Sequence, residues 1–375
     1  MTYTVQPAVI GCAMLPRVGT DRESLEELQY RVARMALADA GLAITDIDGI
    51  VAAGNDQLDG RAISMMAASG SIGGVDRDIV STPSSAEHGF VLGALRIATG
   101  LYNTQLVVAW SPTETAQLHE VERLGADPYF SRRLPLDELS ASALQAVALE
   151  HAVPGVRAAA MQLRDANIAH GAKAYPDFPA PALGDGFTRW PLRTGMTGAP
   201  ATGLIALVLA GAPEVERRKI VDPVWIAGMG WAVEASLLND RDLTTVPSLV
   251  EAVRQCYAEA GITDPASQFD LAEVADSTPY QQLLALEALG LLPRGNWASG
   301  TPAIPVNRSG GSVIANPLFC AGLLRVGEIV QQLRGRAGAH QVAGARRGVA
   351  HAASGFAMHY NTVVVLDRAK PGSVA

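Results

Sequence analysis

Part of this 375-residue chain is written twice, and a duplicated chain must fold into two like halves. Val5-Gln6-Pro7-Ala8-Val9-Ile10 returns as Val221-Asp222-Pro223-Val224-Trp225-Ile226, 216 residues later. Ala38-Asp39-Ala40-Gly41-Leu42 returns as Ala258-Glu259-Ala260-Gly261-Ile262 at an offset of 220. Asp48, which precedes an apolar run, returns as Asp270 before Leu271-Ala272-Glu273-Val274 at an offset of 222. Offsets that grow this slowly are what small loop insertions in one copy produce. Within the first copy, Val9-Ile10 lie in a short apolar run. Helical periodicity follows from Ser24 to Ala40 through Leu25, Leu28, Val32, Met35 and Ala36, with Gly41 as its stop. Asp48 to Gly54 then has the character of a buried strand ending in a turn. A helix over Ala86 to Ala98, closed by Thr99-Gly100, leads into Thr104 to Trp110, whose continuous apolar run suits a central parallel strand. This alternation predicts an α/β sheet with helical layers.

The second copy lacks any counterpart to about residues 111–202, so residues 1–220 form a first half carrying an insertion and residues 221–375 a second half. The insertion has helical pieces at Leu139 to Ala152 and Val156 to Ala169, then a Pro/Gly-rich tail from Tyr175 to Pro200. Long irregular insertions in compact folds are usually functional. Charge argues against nucleic acid as a partner: 29 Lys+Arg against 37 Asp+Glu leave −8, with no basic surplus for phosphates. No eighteen apolar residues run together and the first residues lack a secretory leader pattern, so neither membrane nor export is expected and a cytoplasmic protein is. Cys12, Cys256 and Cys320 are an odd count at wide spacing, which fits neither a disulfide framework nor a metal site. Ala68 to Gly74 is Gly-rich but has neither the P-loop lysine nor the dinucleotide-binding glycine spacing.

The C-terminal stretch carries a more specific signal. Asn307-Arg308-Ser309-Gly310-Gly311, Ala315-Asn316-Pro317, Gln332-Leu333-Arg334-Gly335, Gly344-Ala345-Arg346 and Val349-Ala350-His351 resemble the thiolase superfamily in order and spacing. Within that superfamily the sequence most resembles the sterol-carrier-protein-type thiolases. Leu284 to Leu291, Ala94 to Gly100 and the duplication itself agree. The resemblance implies a five-layer αβαβα fold made of two βαβαβαββ halves, with a loop domain inserted in the first. It also implies a homodimer, a coenzyme A thioester as substrate with no tightly bound cofactor, and, as in many members of the subgroup, a small separately encoded OB-fold, zinc-ribbon partner.

Four loops carry the family's chemistry, and each departs from the family here. The nucleophile loop, Cys-Ala-Ser-Gly in the family, falls at Ser81-Thr82-Pro83-Ser84-Ser85-Ala86-Glu87-His88-Gly89, without a cysteine. The second, His-Asp-x-Phe, becomes Ala275-Asp276-Ser277-Thr278-Pro279-Tyr280, in which only Asp276 matches. The third, Gly-His-Pro, becomes Ala315-Asn316-Pro317, and an amide cannot replace the histidine base. The fourth, Cys-x-Gly-Gly-Gly, becomes His351-Ala352-Ala353-Ser354-Gly355, which puts His351 where the acid/base cysteine stands. Loss of both thiol and base removes the covalent acyl-cysteine mechanism.

The remaining candidates are weighed against plainer roles. His351 is the first choice for acid/base work, because an imidazole titrates near neutral pH and the loop after Ala350 points into the pocket. Ser354 and the Gly355 amide can contribute to an oxyanion hole beside it, and Asn316 can donate to a thioester or enolate oxygen. Asn316 equally suits a helix N-cap, with Pro317 at the first helical position. Ser84 and Ser85 suit an N-cap pair ahead of Glu87, close to a capping box, better than a nucleophile. Tyr280 suits a packed ring better than a phenolic acid, and His88 and His359-Tyr360 rank below these. Cys320 suits a buried core thiol. With the resemblance, these residues imply a thiolase-like acyltransferase that acts on acyl-CoA or another activated acyl group, making or breaking a carbon–carbon bond or moving the acyl group without a cysteine acyl-enzyme. The alternatives are a retro-aldolase acting on a β-hydroxyacyl-CoA and a non-catalytic subunit of a heteromeric complex.

Overall fold

Ser24 opens the first long helix with a capping box: its hydroxyl accepts from the Glu27 amide at 3.3 Å and the Glu27 carboxylate accepts from the Ser24 amide at 2.7 Å. The computed structural model describes residues 3–19, 22–113, 118–298 and 301–372. Its first half runs β1 (Pro7–Leu15), α1 (Leu25–Asp39), β2 (Gly49–Ala53), β3 (Asp78–Ser81), α2 (Ala86–Ala98) and β4 (Thr104–Ser111). The inserted helices α3 (Glu138–Ala152) and α4 (Val156–Ala174) follow, then β5 (Gly203–Gly211). Its second half runs β6 (Val224–Val233), α5 (Pro247–Ala260), β7 (Leu271–Val274), α6 (Pro279–Ala288), α7 (Ala321–Leu333), β8 (Arg347–Ser354) and β9 (Tyr360–Asp367).

The nine strands hydrogen-bond in the order β3-β2-β4-β5-β1-β6-β9-β8-β7, a palindrome of equivalent strands about the β1–β6 junction. Val306 makes a single parallel bridge to Ala272 of β7 and so occupies the place that β3 holds beside β2. Among the described residues the sheet ladder joins the halves at Ala8 with Trp225 and Val9 with Val224. Side chains on alternate faces of the strands fill three apolar cores. One lies between α1 and the first-half strands, with Ile10, Ile50 and Val108. A second encloses α2 and α7 between the strands of both halves, with Val9, Phe90, Leu323 and Val364. The third lies between the second-half strands and α5, with Val363 and Val365. The result is five layers, αβαβα.

Every repeated motif carries a repeated interaction. The Cys12 amide donates to Asp39 Oδ2 at 2.8 Å, and the Met229 amide donates to Glu259 Oε2 at 2.8 Å. Asp48 accepts from the Asn103 and Thr104 amides at 2.7 and 3.2 Å, just as Asp270 accepts from Arg346 and Arg347 at 2.7 and 2.9 Å. A Cβ on Gly11 would meet Ala36 O at 2.4 Å, and one on Gly228 would meet Cys256 O at 2.5 Å. In both halves the helix lies directly on a strand glycine. The insertion packs against the second half: Ala146, Leu149, Val156 and Ala160 share the third core with Leu283, Leu284 and Leu286 of α6. Its tail includes a short hairpin, Phe187–Arg189 with Leu192–Arg193. The Gly-rich run near residue 70 is helical from Ser64 to Ser71. No helix among the described residues is long and apolar enough to cross a membrane.

Candidate active site

Loops of the two halves meet at one end of the sheet, where α2 and α7 begin. The Phe319 amide donates to Ser111 Oγ at 3.2 Å, and a Cβ on Gly322 would meet both Ala352 Cβ and Glu87 Oε2 at 2.6 Å. Asn55, just past β2, donates from its amide to Pro83 O at 3.3 Å and fixes the turn into α2. An about 530 Å³ cavity lies elsewhere, lined by Tyr3, Gln6, Ala227 and Glu259 near the starts of β1 and β6.

Ser85 is the N-cap residue of α2, with extended backbone, yet its side chain caps no helix amide. The capping box expected from Ser84-Ser85 and Glu87 does not form. Glu87 turns inward toward α7, its Oε1 buried without a hydrogen-bond partner. Ser84, which is exposed, instead bonds His88 Nδ1 at 2.8 Å, one helical turn ahead. His88 meets the ring of Tyr360 edge-on, with centroids 5.8 Å apart, and Tyr360 lies 4.4 Å from the ring of His359. His359 Nε2 is 2.8 Å from Glu234 O, and burial lowers its pKa. Ser354 pairs with Tyr360 across the hairpin, so both side chains leave the same face. Its Oγ is buried without a partner, and Gly355 at φ +72° lies against His359 and Tyr360. Ser84, Ser354 and Gly355 are thus gathered with His88, His359 and Tyr360, while Ser85 is buried at the start of α2.

Asn316 is half-buried in the loop before α7, but it caps no helix. Pro317 precedes a short 3-10 turn, Leu318–Cys320, and α7 starts only at Ala321. The Asn316 side-chain amide donates to Gly198 O at 3.4 Å, and the Asn316 backbone carbonyl accepts from the Ala201 amide at 3.0 Å, which holds the tail of the insertion.

His351, Asp276 and Tyr280 stand apart from this group. The strand expected to stop at Ala350 continues to Ser354, because β9 pairs with it up to Ser354 opposite Tyr360. His351 is therefore mid-strand, flanked by Val363 and Val274, which both face the third core beneath α5. It is fully buried, and burial lowers its pKa to about 4 against a hydrogen bond to Asn361 that pulls upward. Asn361 spends its amide on Ser248 Oγ and Met358 O, so its oxygen accepts from His351 Nε2–H at 3.1 Å and Nδ1 is left bare. Asp276 is buried too, accepting from the Asn167 amide at 2.9 Å and the Ser312 amide at 2.8 Å. Burial raises its pKa while Arg325 opposes. It pins the Gly311 loop to the inserted helix α4. Tyr280 is a packed ring of the third core, its hydroxyl donating to Glu150 of α3.

The thiols take no part in the gathered group. All three are buried, and desolvation raises each pKa, to about 12 for Cys12. Among the described residues no cluster of three or more His, Cys, Asp or Glu is arranged to hold a metal ion. The residues that the sequence ranked low, His88 and Tyr360, are central to the site. The four-residue spacing of Ser84 and His88 across a helix start was the available signal.

Comparison with known proteins agrees with the architecture. Residues 230–368 match the family described as thiolase C-terminal domain-like. A 171-residue segment is 33% identical to an acetyl-CoA acetyltransferase of Methanothermobacter thermautotrophicus, covering 43% of this chain and 44% of that protein. A 111-residue segment is 37% identical to sterol carrier protein 2 of Homo sapiens, covering 27% of this chain and 20% of that protein. The matches thus span less than half the length of these curated relatives. Among solved structures, "Ltp2-ChsH2(DUF35) aldolase" superposes with a TM-score of 0.79 at 18% identity, covering 96% of this chain and 97% of that one. Five layers, two mirrored strand sets and loops converging at the starts of two central helices together make this the thiolase fold.

Proposed function

We propose that the chain acts on an acyl thioester of coenzyme A, transferring the acyl group or making or breaking a carbon–carbon bond beside it, without a cysteine acyl-enzyme. One observation carries this reading: Ser84, His88, Ser354 and Tyr360 meet where the halves join, while all three thiols are buried away from reactivity. An imidazole against a hydroxyl moves protons, and helix amides without a side-chain cap are donors for a developing oxyanion. The acetyl-CoA acetyltransferase relative supports a coenzyme A thioester as the substrate class.

Tyr360 favours a second reading, retro-aldol cleavage of a β-hydroxyacyl-CoA. A phenol beside two imidazoles can donate to the enolate oxygen while an imidazole takes the β-hydroxyl proton. The structural neighbour Ltp2-ChsH2(DUF35) aldolase supports the same reading. Incubation with a panel of acyl-CoA and β-hydroxyacyl-CoA thioesters separates the two. Transfer gives free coenzyme A and an acylated acceptor; cleavage gives a shorter acyl-CoA and a carbonyl compound. No product from any thioester, alone or with a co-purifying OB-fold, zinc-ribbon protein, would defeat both readings and leave a binding subunit. Size measurement on the same preparation tests the homodimer.

A further inference from the structure

Ser84 and His88 resemble a nucleophile and its base more than a helix cap. A serine at this point ordinarily accepts from the helix amides, but neither Ser84 nor Ser85 makes a side-chain capping bond to α2. Ser84 Oγ is committed to an imidazole nitrogen at 2.8 Å, within the range in which a base takes a hydroxyl proton. Tyr360 braces the imidazole from the side, and the Asn55 bond to Pro83 O fixes the loop that presents the serine. Ser84 is exposed, so a thioester carbonyl can reach it. The α2 amides remain free of side chains, and α2 is 13 residues long, so its N-terminal dipole adds to their pull on an oxyanion.

We propose that Ser84 is an acyl-accepting nucleophile and His88 its general base, so that the chain passes through an acyl-serine. This rests on the reading of the site as one for acyl thioesters. In the first step His88 Nδ1 takes the Ser84 proton, an Oγ–acyl bond forms and the carbon–sulfur bond breaks. The imidazolium returns its proton to the departing thiolate, giving free coenzyme A. In the second step His88 takes a proton from water or an alcohol, that oxygen bonds to the acyl carbon, the Oγ–acyl bond breaks, and the imidazolium gives its proton to the departing Ser84 oxygen, releasing the acid or ester. No oxidant, metal or further co-reactant is needed.

The full-length protein is mixed with acetyl-CoA, and separately with p-nitrophenyl acetate, quenched in acid and weighed intact, with peptide mapping of the adduct. Acetylation of Ser84 is the expected result. Ser84→Ala removes the adduct with an unchanged melting temperature, because the exposed hydroxyl supports no buried contact. His88→Ala slows acylation about a hundredfold, and added imidazole restores it. Absence of adduct with both reagents, an adduct on another residue, or unchanged acyl transfer by Ser84→Ala overturns the acyl-serine. Such transfer would leave the wider reading intact, since wild type would still act on the thioester. Labelling by p-nitrophenyl acetate without turnover of any acyl-CoA would uphold the nucleophile and defeat the thioester reading.

Discussion

An imidazole in the middle of a sheet has no water to stabilise its cation, and His351 shows the consequence. Its folded-state pKa is about 4, against about 6.5 for an exposed histidine. Above pH 6.5 both folded and unfolded chains hold it neutral and it contributes nothing to the pH dependence. Below that, the unfolded chain takes up a proton that the folded chain refuses, so stability falls as pH drops toward 4, by about 3 kcal/mol at full extent. His351→Gln is expected to flatten this part of the profile, read as urea-unfolding free energies at pH 7 and pH 5. An equally steep slope in the variant would show that His351 titrates normally. The sequence ranked this histidine first because the family places an acid/base group there. A strand that runs four residues further turns the side chain to the outer face, and strand length was not written locally. His88 was within reach of sequence reasoning, since serine and histidine four apart at a helix start lie on one face. Tyr360 was not, because its approach to His88 depends on how two halves close.

At the scale of elements, the duplicated motifs were legible because each encodes one contact: an acidic residue on a helix end for a strand amide, and an aspartate that receives the start of a strand. The insertion's helices were legible from periodicity, whereas their destination against α6 was not, since nothing local names a distant partner. Close approach of α5 to β6 is the most demanding of these contacts. A Cβ on Gly230 would sit 2.0 Å from Ala252 O, a backbone atom that cannot rotate away. Gly230→Ala is therefore expected to cost about 3 kcal/mol, the upper end for overpacking. Gly261→Ala, at φ +67° with open space around it, is expected to cost about 1 kcal/mol from backbone strain alone. Thermal melts of the two variants should rank in that order, and equal losses would mean that α5 can slide on the sheet.

The whole molecule depends on its central layer, which neither half completes alone. α2 from the first half and α7 from the second bury their apolar faces in one shared core, with Phe90 and Ile97 packed in the same cluster as Leu323 and Ile329. Polar ties cross the junction at the other end. The buried Arg334 guanidinium donates to Asp39 Oδ2 at 2.7 Å, to Val9 O at 3.1 Å and to Asp222 O at 3.1 Å, and thus grips both halves. The covalent link between them is slight by comparison: Val221 is 79% exposed, and Lys219 and Asp222 on either side hold positive φ. Residues 1–220 and 221–375 made as separate chains should therefore associate when co-expressed and melt as one unit. Either fragment alone would expose one wall of the central core and should bind a hydrophobic dye without a cooperative transition. A sharp independent melt of residues 221–375 would show that the second half is a self-sufficient domain. The candidate site would then have to be assembled by docking, since Ser84 and His88 lie on one side of the cut and Ser354 and Tyr360 on the other.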